Sequence, residues 1–419
     1  MYMNEVVKNG WERRLAFLIE HCIYAVAFFL PLSLDVASVF LITGALGWGV
    51  KSLWFRKGRH WQITFLDWAV GAVVVLGALS ILVSPDPGFS LYNYTHLMGR
   101  YVLLYYLVVC NLDSTEQLRK LIWVVLCSAF FVTVYGLYQY VVGFDISATQ
   151  WVDGEQFPEL KTRVFSTLEN PNLLAGYLVM MMALASGMAF APRSWREKGL
   201  LFALTALFGL CLVYTYSRGA WLSVAAVVGI YGWLYNRRIF WIFCLLPLGL
   251  LVAQDSILVR LTSILNPTDT SSTLRIALWE STAAMIEDNP FSGIGWGAYW
   301  MVYPEYDFFI NDGHTKIFHA HNMYLNIAAE IGLPGFFAFL AVMYGHWRKA
   351  RKILQETKDP WMAGLSLGLL AALGGLFFNG LTDYVLFNIQ LSMLFWLLNA
   401  IIVVAAKSIF FSEAGGNRF

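Results

Sequence analysis

Three of the chain's seven histidines, His314, His319 and His321, fall within eight positions, with Asn322, Tyr324 and Glu330 close behind. Histidine is the usual proton acceptor near neutral pH, so this cluster offers a general base. It also invites a metal. The spacing is not His-Glu-x-x-His, no cysteine joins the cluster, and no carboxylate is well placed among the histidines. The base is therefore the preferred reading, and no metal is expected. Local structure supports it. Asn322 to Ile331 reads as a short helix, Gly332 as its C-cap, and Pro334 as the first turn of the next helix. His321 then stands at a helix start.

Three arginines offer the complementary chemistry. Arg218 lies in Tyr216-Ser217-Arg218-Gly219, between two apolar runs with almost no loop around it. A charge so near a membrane needs a partner, either lipid headgroups reached by snorkelling or a bound anion. Arg275 and Trp279 are one helical turn apart, so they share a face on which a cation–π pair would steady the guanidinium. Their segment begins at the capping residues Ser271 and Ser272 and ends at Asn289-Pro290. Arg163 precedes Asn170-Pro171-Asn172, where Pro171 suits a first helical turn and either asparagine caps the helix or touches a ligand. Guanidinium groups fit phosphate with paired N–H donors. If the fold brings Arg218 and Arg275 to His321, a base stands beside a pyrophosphate clamp. That combination points to transfer from a lipid phosphate. The glycines of Gly293-Ile294-Gly295-Trp296-Gly297 permit tight turns or close approach of a ligand, but they lack the strand–turn–helix setting of a nucleotide loop.

The elements that must position these residues are membrane helices. Of 419 residues, 58% are hydrophobic and 13% charged, against about 25% charged in a soluble domain. Apolar runs of about 20 residues span a bilayer. They occur near 15–33, 35–54, 63–83, 94–111, 119–142, 171–191, 199–216, 219–235, 239–257, 335–350, 361–382 and 385–407. The expected fold is an all-α integral membrane protein of about 12 transmembrane helices. It is a single polytopic domain, 1–419, with a loop subdomain at 258–334. In alternate loops, 21 of the 28 lysines and arginines fall on one side. The positive-inside rule makes that side cytoplasmic, with both termini there. Residues 143–170, 217–219 and 258–334 then lie outside. The five cysteines sit in or beside apolar runs, as packing residues do. A transporter would concentrate its ionisable groups near the midplane. Here Asp67 and Arg100 are among the few charges within runs, and the polar clusters lie in loops, which disfavours that class.

The run His321-Asn322, nine residues, Gly332, two residues, Gly335 resembles the signature of the bacterial O-antigen ligase family. Ser217-Arg218-Gly219, Arg275 with Trp279, and Asn289-Pro290 before Gly293-Ile294-Gly295 resemble it too, most strongly over 160–383. The resemblance implies a type C glycosyltransferase-like architecture and a multi-pass enzyme of the bacterial inner membrane. Such an enzyme moves a glycan from undecaprenyl pyrophosphate to lipid A–core oligosaccharide on the periplasmic face. It inverts the anomeric centre and needs no metal or other cofactor. An O-antigen or surface-polysaccharide polymerase and an O-linked oligosaccharyltransferase share the superfamily and differ in acceptor. By the same resemblance His321 is the base, and Arg218 and Arg275 hold the pyrophosphate; Arg163 is a further candidate to bind it. Supporting candidates are His319, Asn322, Trp279 and Asn172, with Asp383 and Arg100 as orienting partners. No nucleic-acid partner is implied.

Overall fold

The computed structural model describes residues 2–55, 63–143, 163–191, 194–245, 270–309 and 316–416, and among these there is no strand. The helices in chain order are α1 (Tyr2–Phe29), α2 (Leu34–Trp54), α3 (Asp67–Ser80), α4 (Pro87–Asn111), α5 (Thr115–Val142), α6 (Pro171–Phe190), α7 (Trp195–Val213), α8 (Arg218–Leu234), α9 (Thr270–Asp288), the single turn α10 (Tyr299–Val302), α11 (Met323–Glu356), α12 (Pro360–Asn379) and α13 (Ile389–Gly416). Short polar residues start most of them. Ser33, Asp86, Asn170, Ser194, Asn322 and Asp359 each accept a first-turn N–H, and Ser114 forms a capping box with Gln117. Proline follows the cap in α4, α6 and α12, where its missing N–H costs nothing.

The chain is an α-helical membrane protein. Each expected apolar run except 239–257 coincides with a helix. That run opens in a 3-10 helix, Arg237–Leu245, and continues outside the described residues. Among the described residues six helices, α2, α5, α6, α11, α12 and α13, are long and apolar enough to cross a bilayer, and α3 and α8 are apolar but shorter. The expected count of 12 is thus not reached by length and apolarity. The reason is visible in the shortfall: α7 opens with Arg196, Glu197 and Lys198, and α4 carries Asn93, Thr95, His96 and Arg100.

The centre of the bundle is α6, α12 and α13. The apolar windows of α6 and α13 are each 83% buried, against 22% for the peripheral α2. Small residues let α6 and α12 approach closely. A side chain at Gly187 would run into the backbone of Gly368, and one at Gly364 into Ala191. A second, smaller core joins Leu278 and Met285 of α9 to Ile294, Tyr299, Tyr303, Ala320 and Ala329. Thr282 and Tyr299 share a 2.8 Å hydrogen bond inside it.

A break in α11 joins the two cores. Gly332 has φ 70° and ψ 170°, so the short helix from Met323 ends there and a second begins. Pro334 has no N–H for the Glu330 carbonyl, and that carbonyl accepts instead from Gly295 N–H at 3.1 Å. Leu333 N–H turns to Pro290 O at 2.8 Å, leaving Ala329 O for Ile294 N–H at 2.8 Å. Gly293 and Gly295, with φ 68° and 108°, make this exchange possible. A side chain at Gly293 would lie 2.5 Å from Glu330 O. The glycine cluster thus clamps the broken helix.

Candidate functional site

The turn after α12 is the platform of the site. Met323 N–H donates to Gly380 O at 2.8 Å, and Asn322 Nδ2 donates to Leu381 O at 3.0 Å. Asn322 Oδ1 meanwhile caps the short helix, accepting from Tyr324 and Leu325 N–H at 3.0 Å each. With its neighbours fixed this way, His321 is held at φ 49°, a left-handed conformation that a side chain adopts only at some cost. Such strain persists where the surroundings dictate it, and here it serves to place the ring. His321 Nδ1 lies 3.1 Å from Asp383 Oδ1. The same oxygen accepts Tyr384 N–H at 2.8 Å. A carboxylate only accepts, so Nδ1 carries the proton and the lone pair of Nε2 is left for another group.

His319 completes the cluster. Its Nδ1 accepts from the His321 amide at 3.2 Å, and the two rings meet edge-on with centroids 4.3 Å apart. Phe387 and Tyr384 back the His319 ring at 5.0 and 6.1 Å. Burial pushes His319 down to about 3, helped by the charges of His321 and Arg275 and opposed by Asp383. For Asp383, burial works upward. The hydrogen bond and charge of His321, with Arg275 and His319 behind it, outweigh burial and hold the carboxyl well below the usual carboxylate range. One ligand atom from each of His319, His321 and Asp383 lies within 4.8 Å of the other two, so these three could hold a metal ion.

Arg218 is the first residue of α8 and is buried. Gly219 beside it packs on the same platform: a side chain there would meet Thr382 Oγ1 at 2.6 Å. Arg275, half-buried on α9, acts electrostatically on both His319 and Asp383. Trp279 follows one turn later, and its indole N–H is buried with no hydrogen-bond partner among the described residues. Arg163 is buried and pinned. Its Nε donates to Thr215 O at 2.8 Å and its Nη2 to Asn172 Oδ1 at 3.1 Å. Val164 N–H adds a bond to Tyr214 O, so Arg163 braces the turn that leads into Arg218. Arg100 sits midway along α4, and among the described residues no hydrogen bond or ion pair joins it to the cluster. His314 lies outside the described residues.

A cavity of about 580 Å³ adjoins the cluster, with Tyr384 and Phe387 in its wall alongside Trp296, Trp300, Lys316 and Glu330. Glu330 accepts Gly297 N–H at 3.2 Å and so ties the glycine turn to the short helix. Sequence reasoning gave Glu330 no role, and nothing local reveals its partner 33 residues away. The Gly380–Thr382 platform was missed as well. The available signal was Asn379-Gly380 stopping an apolar helix just before an ionisable residue.

Residues 201–340 match the family model described as O-antigen ligase. That stretch contains Arg218, Arg275, Trp279, His319, His321 and Asn322, while Arg163, Asn172 and Asp383 fall outside it. No curated protein matches the chain. Over residues 201–340, which carry the histidine helix start and two of the arginines gathered around it, the chain is similar to the O-antigen ligase family.

Proposed function

We propose that the protein is a glycosyltransferase that moves a glycan from undecaprenyl pyrophosphate to lipid A–core oligosaccharide on the periplasmic face of the bacterial inner membrane. The observation that carries this reading is the His321–Asp383 pair, 3.1 Å apart, on a platform against which the start of α8 also packs. Asp383 holds the Nδ1 proton, and Nε2 of His321 takes the proton of the acceptor hydroxyl. The freed oxygen attacks the anomeric carbon from the face opposite the pyrophosphate. The bond to the pyrophosphate oxygen breaks and its electron pair leaves with the phosphate, which inverts the centre. Arg218 and Arg275 hold the pyrophosphate as its charge grows. Arg163 belongs to the same clamp and keeps the Arg218 turn rigid. A positioned base contributes a factor of ~10²–10⁴, and no metal or other cofactor enters the reaction.

The charge asymmetry, 21 of 28 lysines and arginines in one set of loops, supports cytoplasmic termini and a periplasmic site. Residues 258–334 then form the periplasmic subdomain, whose described part contributes the smaller core. The test is transfer in vitro. Purified protein is mixed with lipid-linked glycan and, separately, with lipid A–core or a second lipid-linked repeat. Product on lipid A–core is expected. Product only on the second repeat would make the protein a polymerase, and product on neither would remove the reading.

A further inference from the structure

We propose that His319, His321 and Asp383 also form a three-ligand site for a zinc-class divalent cation, and that occupation of this site switches transfer off. The binding half stands on geometry alone; the inhibitory half rests on the base role given to His321. Asp383 is remote from the histidines in sequence, but the turn after α12 brings it to His321 from 62 residues away. The three ligand atoms lie within 4.8 Å of one another. The 3.1 Å between His321 Nδ1 and Asp383 Oδ1 is close to the ~3.3 Å that separates two ligands on a tetrahedral ion with bonds of ~2.0–2.1 Å. A cation can therefore take the place of the proton between them. Among the described residues His319 Nδ1 accepts a single bond, at 3.2 Å, from the His321 amide. Tyr384 N–H fixes the carboxylate and the Phe387 ring backs His319, as outer partners do at metal sites.

The donor set selects the ion. Two imidazoles and one carboxylate suit zinc or copper and not magnesium or calcium, which prefer oxygen. The charge of Arg275 opposes any cation, so only one bound strongly through nitrogen should stay. The consequence for transfer follows from the tautomer. An ion on Nδ1 displaces that proton, and the neutral ring then carries its single proton on Nε2. The nitrogen that must accept the hydroxyl proton no longer has a lone pair.

The experiment uses the untagged full chain in detergent, stripped with EDTA and dialysed against zinc chloride, with magnesium chloride as control. One zinc and no magnesium should be retained per chain. His319→Gln should weaken zinc binding at least ~10-fold, the loss seen even for an outer-shell partner. Thermal stability is measured alongside, and Asp383→Asn serves as the second variant if His319→Gln does not fold. Zinc should abolish transfer by the wild-type protein, and EDTA should restore it. Wild-type protein that retains no zinc, or a folded variant that retains it with wild-type affinity, overturns the site. Bound zinc with undiminished transfer overturns the switch. Zinc retention is read without substrates, so absent transfer would sink the proposed function and leave the site standing.

Discussion

Asp383 is the residue whose replacement separates geometry from chemistry. Its Oδ1 accepts from both His321 Nδ1 at 3.1 Å and Tyr384 N–H at 2.8 Å. In Asp383→Asn the amide oxygen can keep both bonds, so His321 keeps its tautomer. What is lost is the charge that steadies the imidazolium formed when Nε2 takes a proton. The difference between a charged and a neutral hydrogen bond is about 1–1.5 kcal/mol, which corresponds to roughly a tenfold slower transfer step. Asp383→Leu keeps the volume and removes the acceptor. Either tautomer is then open and the ring is no longer aimed, so most of the base contribution goes. That contribution is ~10²–10⁴, or about 2.7–5.5 kcal/mol. The assay is single-turnover transfer at saturating donor, with donor affinity and thermal stability measured on the same preparation. Donor affinity should change little, because the proposed mechanism gives the pyrophosphate to the arginines. In a His321→Ala background Asp383→Leu should add almost nothing, since the two act as one unit. A folded, donor-binding Asp383→Leu protein with a rate within about threefold of wild type would refute the pairing.

Arg218→Lys and Arg275→Lys keep charge but lose the planar fork, so each should weaken use of limiting donor by ~10–100-fold, the worth of one charged hydrogen bond; wild-type turnover at limiting donor in both would exclude the clamp. Acidification should destabilise the folded protein. His319 is pushed down to about 3 when folded, so the stability tied to its neutral ring is complete above its ordinary pKa of 6.5 and is lost as pH falls from there toward 3. Asp383, held below its ordinary value, contributes stability that disappears as pH falls below the usual carboxylate range. The thermal midpoint in detergent should therefore drop between pH 7 and pH 4, and His319→Gln should flatten the upper part of that slope; a variant slope equal to wild type would contradict the burial of His319. Gly332→Ala places a side chain at φ 70° and against the Phe291 carbonyl. The strain alone costs ~1–3 kcal/mol, so the thermal midpoint should fall clearly, and an unchanged midpoint would mean that the break in α11 is not required.

Much of the local structure is legible in the chain. Asn322, Gly332 and Pro334 announce a short helix, a stop and a restart, and the backbone follows them because each residue's own conformational limits enforce the step. Asn289-Pro290 likewise ends α9 at Asp288. What is not legible is pairing across distance. The carboxylate that meets His321 is 62 residues away, and Glu330 reaches Gly297 over 33. The residues between them carry no periodic signal for either contact. The glycines of 293–297 read as a ligand loop or a turn, and only the carbonyls freed at Pro334 explain them as a clamp. An apolar run marks a helix without fixing how much of it is long and apolar enough to cross, so twelve runs correspond to six such helices among the described residues.

Proton transfer from the acceptor hydroxyl to Nε2 of His321 is the step on which the proposed mechanism turns. It is tested most directly by His321→Ala in single-turnover transfer from lipid-linked glycan, with donor affinity measured separately. The expected result is a folded protein that binds donor as wild type does and transfers ~10²–10⁴ times more slowly. A folded, donor-binding His321→Ala protein that transfers at the wild-type rate would contradict the claim.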